Sequence, residues 1–399
     1  MTTAKTTDPI AVPAVDRSCP FSPPTAYQQA LRHAAITRVR LWDGSESWMA
    51  TRHEDVCAIL ADPRFSSDTR RPGFPFLNPA RKAVADGNRS FINLDGPDHT
   101  RLRRLVLPDF KRRNVDALHP EIRRTAEELV DAMTREGTAA DLMAQFALPL
   151  PSRVICLLLG IPYQDRDYFQ RRSRVLMHND ADPAQARQAS DDLDRYLTGL
   201  VRDGRAAPGG IVSRLSAQDG VAPEQIAATG RLLLINGHES TSHMIALSVL
   251  VLLRNPGQLV RLRAEPALAA TAVDELLRYV TILHHGLGRI ATEDVPVDRH
   301  VIRAGEGVIC MLSTANRDEA AFPAAADVDL TRDARHHVAF GFGAHRCLGE
   351  LLAEAELAAA LETLLRRLPR LRLAVPESDV PFRYDTQTYG VHALPVRWD

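Results

Sequence analysis

The feature that most constrains the fold is a long apolar helical pattern at residues 223–254. From Leu232 to Leu253 nearly every face of this pattern is apolar, which predicts a helix buried through the core of a globular protein. Its most apolar stretch, "MIALSVLVLL" at residues 244–253, is shorter than the ~20 residues that cross a bilayer. The pattern therefore favours a core helix over a membrane span.

Other elements can be placed around this helix. A β-hairpin is predicted around "DGSES", a short helix from His53 to near Pro63, and a long loop at residues 70–92. Helical periodicity continues from residue 97 to about 280, and strand patterns occupy residues 290–312 and the tail after Leu371. We predict a mainly α fold with a small β subdomain, as a single domain over residues 19–399 after a flexible arm at residues 1–18.

Charge and cysteine usage exclude several classes of protein. The formal net charge is −1, so no overall field indicates a nucleic-acid or membrane partner. The five cysteines are odd in number, widely spaced and without a CxxC pair, which argues against a disulfide framework and for a reducing compartment. The N-terminus lacks a signal-peptide core. We predict a cytoplasmic protein.

The buried helix is interrupted by the polar stretch "NGHES" at residues 236–240. Gly237 costs ~1 kcal/mol relative to alanine in a helix, and a buried carboxylate such as that of Glu239 is costly unless it has a role or a partner. These residues indicate a functional site inside the helix. The alternative is a helix kink in which Ser240 bonds a backbone carbonyl.

A glycine-rich loop, "AFGFGAHRCLG" at residues 339–349, precedes a strong helix pattern and contains Cys347. A helix N-terminus stabilises a thiolate, and N–H groups aimed at a metal-bound sulfur tune it. Gly341, Gly343 and Gly349 would let the backbone turn and approach a flat, bulky group. A buried cysteine in a glycine-rich loop is the alternative.

The loop resembles the haem-binding signature of the cytochrome P450 family, Phe-x-x-Gly-x-x-x-Cys-x-Gly, through Phe340, Gly343, Cys347 and Gly349. The resemblance implies haem b with Cys347 as the iron ligand, held between the buried helix and this loop. It also relates "NGHES" to the family's oxygen-activation motif, with catalytic roles for Asn236, Gly237, Glu239 and Ser240. Asn236 stands in place of a small residue and Ser240 in place of threonine.

Two further groups follow from the same resemblance. His99 and Arg103 lie one helical turn apart, and with Arg289 and His345 they are implied to hold the haem propionates; a solvated basic face is the alternative for the helix. Glu275 and Arg278 match the family's structural Glu-x-x-Arg motif. The usual third arginine is replaced by Asp327, with Arg332 or Arg335 as candidate substitutes.

The resemblance covers residues 19–397 and is closest to Streptomyces-type secondary-metabolite and xenobiotic hydroxylases. It implies a haem-thiolate monooxygenase that uses O₂ and two external electrons to hydroxylate or epoxidise a mostly apolar small molecule. The chain has no flavin or nicotinamide fingerprint, so a ferredoxin and its NAD(P)H-dependent reductase are implied partners. Arginines and lysines at residues 101–113 are a candidate ferredoxin surface, or simply a solvated basic helix.

Two other functions stay open. A haem-thiolate oxidase without oxygen insertion would couple aryl or C–C bonds or reduce nitric oxide, and a haem-binding sensor would need no buried acid and alcohol.

We predict that the amide of Asn236 binds substrate or a relay water; a bond to the helix backbone is the alternative. The resemblance also implies these substrate-pocket residues: Phe74, Phe76, Leu77, Leu176, Met177, His178, Leu232, Ile235, Leu283, His284 and Thr388.

Overall fold

The computed structural model describes residues 9–87 and 89–399. Its α-helices make up most of the regular structure of this part of the chain. They are α1 (Thr25–His33), α2 (His53–Ala61), α3 (Pro79–Val84), α4 (Gly96–Val106), α5 (Arg112–Glu136), α6 (Pro149–Leu159), α7 (Arg166–Met177), α8 (Pro183–Arg202), α9 (Ile211–Ser216), α10 (Pro223–Arg254), α11 (Pro256–Ala264), α12 (Ala269–Val280), α13 (Leu312–Ala315) and α14 (Glu350–Arg367).

The strands form four small sheets in the described part of the chain. They are β1 (Ile10–Ala11), β2 (Ile36–Arg40), β3 (Glu46–Ala50), β4 (Phe65–Ser66), β5 (Ala139–Asp141), β6 (Leu287–Ala291), β7 (Val295–Val297), β8 (His300–Ile302), β9 (Gly307–Cys310), β10 (Arg372–Leu373), β11 (Phe382–Arg383), β12 (Gly390–Val391) and β13 (Pro395–Arg397). The largest sheet has the order β1-β2-β3-β9-β6-β4, and β10-β13-β5, β11-β12 and β7-β8 form the others. The predicted mainly α fold with a small β subdomain is confirmed.

The apolar helix predicted at residues 223–254 is α10, and it lies in the core as expected. It packs against α6, α8 and α14, and most of its side chains from Leu233 to Leu252 are buried. Within the described residues no single helix is long and apolar enough to span a bilayer. Only α10 and α11 taken together reach the required length and composition, and they are bent by 105°.

The N-terminal segment differs from the predicted flexible arm. Residues 1–8 lie outside the described residues, but Ile10–Ala11 pair in parallel with β2, and Val12 is buried. The N–H of Ala14 donates to the hydroxyl of Tyr27 (2.7 Å), and the guanidinium of Arg17 lies 4.4 Å from the ring centre of Tyr389. The prediction of a flexible arm is therefore wrong for residues 10–17, because strand β1 pairs with the edge strand of the hairpin and an apolar side chain is buried there.

The hairpin predicted around "DGSES" is β2–β3, and the short helix after it is α2. The long loop predicted at residues 70–92 contains one helix, α3, which a sequence rich in proline and glycine concealed. Asn78 begins it by accepting the N–H of Arg81 on its side-chain oxygen (2.8 Å). All five cysteines lie in the described part of the chain and all are free thiols.

Candidate active site

The loop around Cys347 is folded tightly by its glycines. The N–H of Cys347 donates to the carbonyl of Phe340 (2.8 Å), which closes the loop on itself. Gly341 and Gly343 both have φ of +72°, and a Cβ at Gly343 would lie 2.5 Å from the carbonyl oxygen of Leu60. Glycine is therefore required at position 343 for both conformation and space.

The position of Cys347 at a helix start is confirmed, since α14 begins three residues later. Burial raises the pKa of the Cys347 thiol, and the N–H of Gly349, directed at the sulfur, opposes that rise. Cys347 is a free thiol in a residue that keeps accessible surface. This geometry suits a thiolate whose negative charge is balanced by a bound cation rather than by another side chain.

His99 and Arg103 of α4, Arg289 of β6 and His345 of the cysteine loop come together from three separate places in the sequence. The rings of His99 and His345 lie 4.2 Å apart at their centres. Arg103 donates to the carbonyl of Arg346 (2.6 Å). Burial, followed by the charges of Arg289, His99 and Arg103, lowers the pKa of His345 to about 3.

This cluster of donors lacks a matching anion among the residues that the structure describes. Neither Arg103 nor Arg289 has a carboxylate within 4 Å there, and Arg289 donates only to the carbonyl of Gly288 (2.8 Å). Nε2 of His99 is buried without a hydrogen-bond partner, and the nearest acid is Asp95, 3.9 Å from His345. Buried cations without counter-charges are costly, so the cluster fits a ligand carrying two carboxylates, as the haem propionates do.

The polar residues of α10 are placed differently from one another. Glu239 is 4 % exposed, and its carboxylate faces His243 and Arg383. Ser240 donates its hydroxyl to the carbonyl of Asn236 (2.6 Å), the back-bond that the sequence left as an alternative. The helix nevertheless continues without a break through this region.

Asn236 and Gly237 both have contacts within the fold. The amide nitrogen of Asn236 donates to the carbonyl of Leu232 (2.9 Å), which is the backbone bond that the sequence left as an alternative; its second N–H and its oxygen are not used by this bond. A Cβ at Gly237 would lie 2.7 Å from Cδ1 of Ile155, which shows that this glycine serves the close crossing of α10 and α6. A helix-internal glycine signals close packing as readily as it signals chemistry.

Comparison with known proteins decides the family. The cytochrome P450 family profile matches residues 210–398. The chain is 55 % identical to cytochrome P450-SU2 of Streptomyces griseolus over the full length of both chains. It is 44 % identical to the pentalenic acid synthase of Streptomyces avermitilis, covering 98 % of each. The chain belongs to the cytochrome P450 family.

The architecture agrees with this assignment. The mycinamicin VIII C21 methyl hydroxylase MycCI from Micromonospora griseorubida, bound to mycinamicin VIII, superimposes with a TM-score of 0.92 at 39 % identity, covering 98 % of this chain and 100 % of the other. The predicted resemblance is thus confirmed, and with it the expectation of a P450 monooxygenase of the kind that acts in secondary metabolism. A haem-iron cofactor follows from the family, and Cys347 with the four-donor cluster fits it.

The structural Glu-x-x-Arg motif of this P450 has the third partner that the sequence left open. Glu275 and Arg278 are fully buried and share two hydrogen bonds of 2.7 and 2.8 Å. Arg332 places its Nε 3.3 Å from the same carboxylate, whereas Arg335 forms a separate surface ion pair. Asp327, at the aligned position, contributes its backbone carbonyl to Arg278 (3.1 Å).

The residues expected to line the substrate pocket of this P450 pack against two apolar clusters. Met177, Ile235 and Thr388 are buried, and Leu176 and Leu232 pack partly buried against the helical core. Leu283 packs against the second apolar cluster, which contains residues of the largest sheet.

Four expected pocket residues have other surroundings. Phe74 and Phe76 border an outer groove that also contains Arg38 and Lys82, and Leu77 packs against the N-terminal apolar cluster. His178 pairs with Asp385 of the tail (3.0 Å).

His284 is the clearest correction to the expected pocket. One ring nitrogen contacts Arg17, the other lies 3.1 Å from the carbonyl of Val280, and the ring stacks on Tyr389 at 4.3 Å. Burial, then the charge of Arg17, lowers the pKa of His284 well below its usual value. The imidazole is therefore a neutral core group whose polar atoms are already occupied.

Arg81 of α3 is a residue near the expected pocket that sequence reasoning missed. Burial lowers the pKa of its guanidinium, although the side chain keeps accessible surface. It donates to the amide oxygen of Gln387 (2.6 Å), and Gln387 donates to the carbonyls of Met177 (2.9 Å) and Leu176 (3.0 Å). It lies in the segment that the sequence predicts as a long loop, so no local signal identified it.

Proposed function

We propose that residues 19–399 form a single-domain haem b monooxygenase that uses O₂ and two externally supplied electrons to hydroxylate or epoxidise a mostly apolar small molecule. The observation that carries this proposal is the cluster of four donors, without an anion of its own, beside a thiol at a helix start. Cys347 would bind the iron, and His99, Arg103, Arg289 and His345 would bind the propionates. When bound, the haem supplies the oxygen-activating redox chemistry that amino-acid side chains lack.

The proton supply is assigned to α10. Oxygen chemistry of this kind consumes two protons, and an acid with an adjacent hydroxyl can pass them from solvent to the reacting centre. Glu239 is the only carboxylate of the "NGHES" stretch, and Ser240 keeps its oxygen lone pairs free while its hydrogen bonds Asn236. Glu239 would hold the proton at its carboxylate and Ser240 would orient it.

The electron donor is proposed to be a ferredoxin, reduced by an NAD(P)H-dependent reductase, with the whole system in the cytoplasm. The side chains of Arg101, Arg104, Lys111, Arg112 and Arg113 are exposed. They flank Phe110, which lies 3.8 Å from the Cβ position of Gly349 in the cysteine loop. An acidic protein docked on this basic surface would approach the sulfur side of the site.

The proposed substrate class rests on the side chains expected to line the substrate pocket. Buried apolar residues such as Met177 and Ile235 favour an apolar body, and the enclosed guanidinium of Arg81 favours a hydrogen-bond acceptor or an acid at one end. Within the described residues Arg81 has no carboxylate within 4 Å, so its charge is available to a ligand.

The test replaces the proposed iron ligand. We expect Cys347→Ser to abolish the red-shifted Soret band of the reduced carbon monoxide complex, because that band requires a thiolate ligand. The matched control is Cys57→Ser, a half-buried cysteine outside the loop, which should keep the band. Persistence of the band in Cys347→Ser would exclude the ligand assignment. Incorporation of label from ¹⁸O₂ into the product distinguishes oxygen insertion from coupling chemistry.

A further inference from the structure

A buried group of charged residues lies between α10 and the C-terminal tail, and the proposed reaction does not use all of it. Arg383 of β11 places Nη1 3.3 Å from Oε2 of Glu239 and also contacts Nε2 of His243. Nε2 of His243 lies 3.6 Å from the same carboxylate oxygen. All three residues are less than a tenth exposed.

The tail holds this group in place from a second strand. Gly390, on β12, is so close to His243 that a Cβ there would overlap the imidazole ring. Strands β11 and β12 pair with each other, so Arg383 and the strand that confines His243 move as one unit. Glu239 is thus fixed by contacts that are distant in sequence, 144 residues away in the case of Arg383.

The electrostatics follow from these contacts. Burial by itself raises the pKa of Glu239, but His243, His238 and Arg383 outweigh it and lower the pKa to about 2. The groups that face the carboxylate are His238 and His243 from α10 and Arg383 from the tail. His392 of the tail lies beyond His243 and lowers its pKa further, after burial as the main cause.

We propose that Arg383 is a positioning residue for Glu239, with His243 orienting both side chains. The guanidinium holds the carboxylate in one rotamer as an anion. Without Arg383, Glu239 would be a buried acid lacking a full positive partner, and it would take up a proton and lose its fixed position. This inference rests on the role proposed above for Glu239.

The test measures the protonation of Glu239 by difference infrared spectroscopy of the purified enzyme during a pH titration. In Arg383→Met we expect the proton affinity of Glu239 to rise about 100-fold or more, as for buried carboxyls that lose a cation. The signal is a protonated-carboxyl band that shifts in D₂O and is absent from the double variant Arg383→Met/Glu239→Gln. Subtracting the double variant removes every other buried acid.

Two further variants keep the test decisive. Arg397→Met removes an exposed arginine from the same tail and should leave the band unchanged. Arg383→Lys keeps the charge but not the planar fork, so it should give a smaller rise in the proton affinity of Glu239 than Arg383→Met. It also provides the measurement if Arg383→Met does not fold. Proton affinity of Glu239 equal to that of the parent in both Arg383 variants would overturn the inference.

Product formed per NAD(P)H separates this inference from the proposed function. If Glu239→Gln lowers the product yield and Arg383→Met lowers it in the same way, both ideas are supported. If Glu239→Gln leaves the yield unchanged, the proton role of Glu239 fails, while the infrared titration still decides whether Arg383 sets its charge.

Discussion

At the scale of single residues, the polar side chains of α10 differ in the groups that they contact. Asn236 and Ser240 both give their hydrogen to carbonyls of their own helix, at 2.9 and 2.6 Å. Glu239 alone among these three makes ion-pair contacts with another element. The proposed proton delivery would therefore depend on one carboxylate, its tail partner and one hydroxyl that can only accept a hydrogen bond while it remains back-bonded.

Ser240→Ala tests that hydroxyl. We expect the variant to consume reductant at a similar rate but to yield several-fold less product and more peroxide, because the group that orients the proton is gone. Ser242→Ala is the matched control, since this buried serine bonds the carbonyl of Glu239 (2.8 Å) from elsewhere on the helix. An unchanged ratio of product to NAD(P)H in Ser240→Ala would remove Ser240 from the relay.

At the scale of elements, the crossing of α10 and α6 explains a glycine that resembles a catalytic one. Two side-chain atoms of Ile155 lie 2.7 Å from the position of a Cβ on Gly237. Gly230, two turns earlier, is in looser contact, with Leu197 at 3.3 and 3.4 Å from its Cβ position. The two glycines therefore contribute differently to the same helix.

We expect Gly237→Ala to destabilise the protein by about 1–2 kcal/mol, because overpacking typically costs ~1–3 kcal/mol and exceeds the ~1 kcal/mol that alanine gains in a helix. Gly230→Ala is the control and should stay within about 0.5 kcal/mol of the parent or gain stability. Urea unfolding of both variants measures the free energies. Equal stabilisation of both would show that Ile155 yields without cost.

At the scale of the whole molecule, the helical body contains an acid without a positive partner. Glu356 on α14 is 1 % exposed, and its Oε2 has no hydrogen-bond partner in the described structure. Burial raises the pKa of Glu356 well above its usual value, so the folded state favours the protonated side chain. The folded state then binds a proton that the unfolded state has released.

The sign of the pH dependence follows from that difference. Stability from Glu356 is fully present below its unfolded pKa of 4.5 and declines as pH rises towards the folded pKa. Glu356→Gln mimics the protonated acid, so it should raise Tm at neutral pH and flatten the decline of Tm with pH. Glu362→Gln, an exposed position on α14, is the control. The same Tm-against-pH slope in Glu356→Gln and parent would contradict this account.

The sequence by itself determined the buried helix, the mainly α fold and the cysteine loop, because each depends on local patterns. A 22-residue helical pattern that is apolar on nearly every face favours burial, and a helix start with three glycines and a cysteine specifies its own geometry. The Glu275–Arg278 pair is equally local, at three residues' separation.

Only the tertiary structure decided which distant side chains meet. Arg332 reaches Glu275 across 57 residues, Arg383 reaches Glu239 across 144, and Arg17 fills the face of His284 that was expected to meet substrate. A single sequence does not show such contacts, because burial and pairing energies depend on positions that the chain takes only when the tail and the N-terminal segment pack on the helices. The sequence also left undecided which acceptor each side-chain donor of α10 bonds. A hydroxyl or amide in a helix can bond the carbonyls of that helix or a ligand, and packing selects between them.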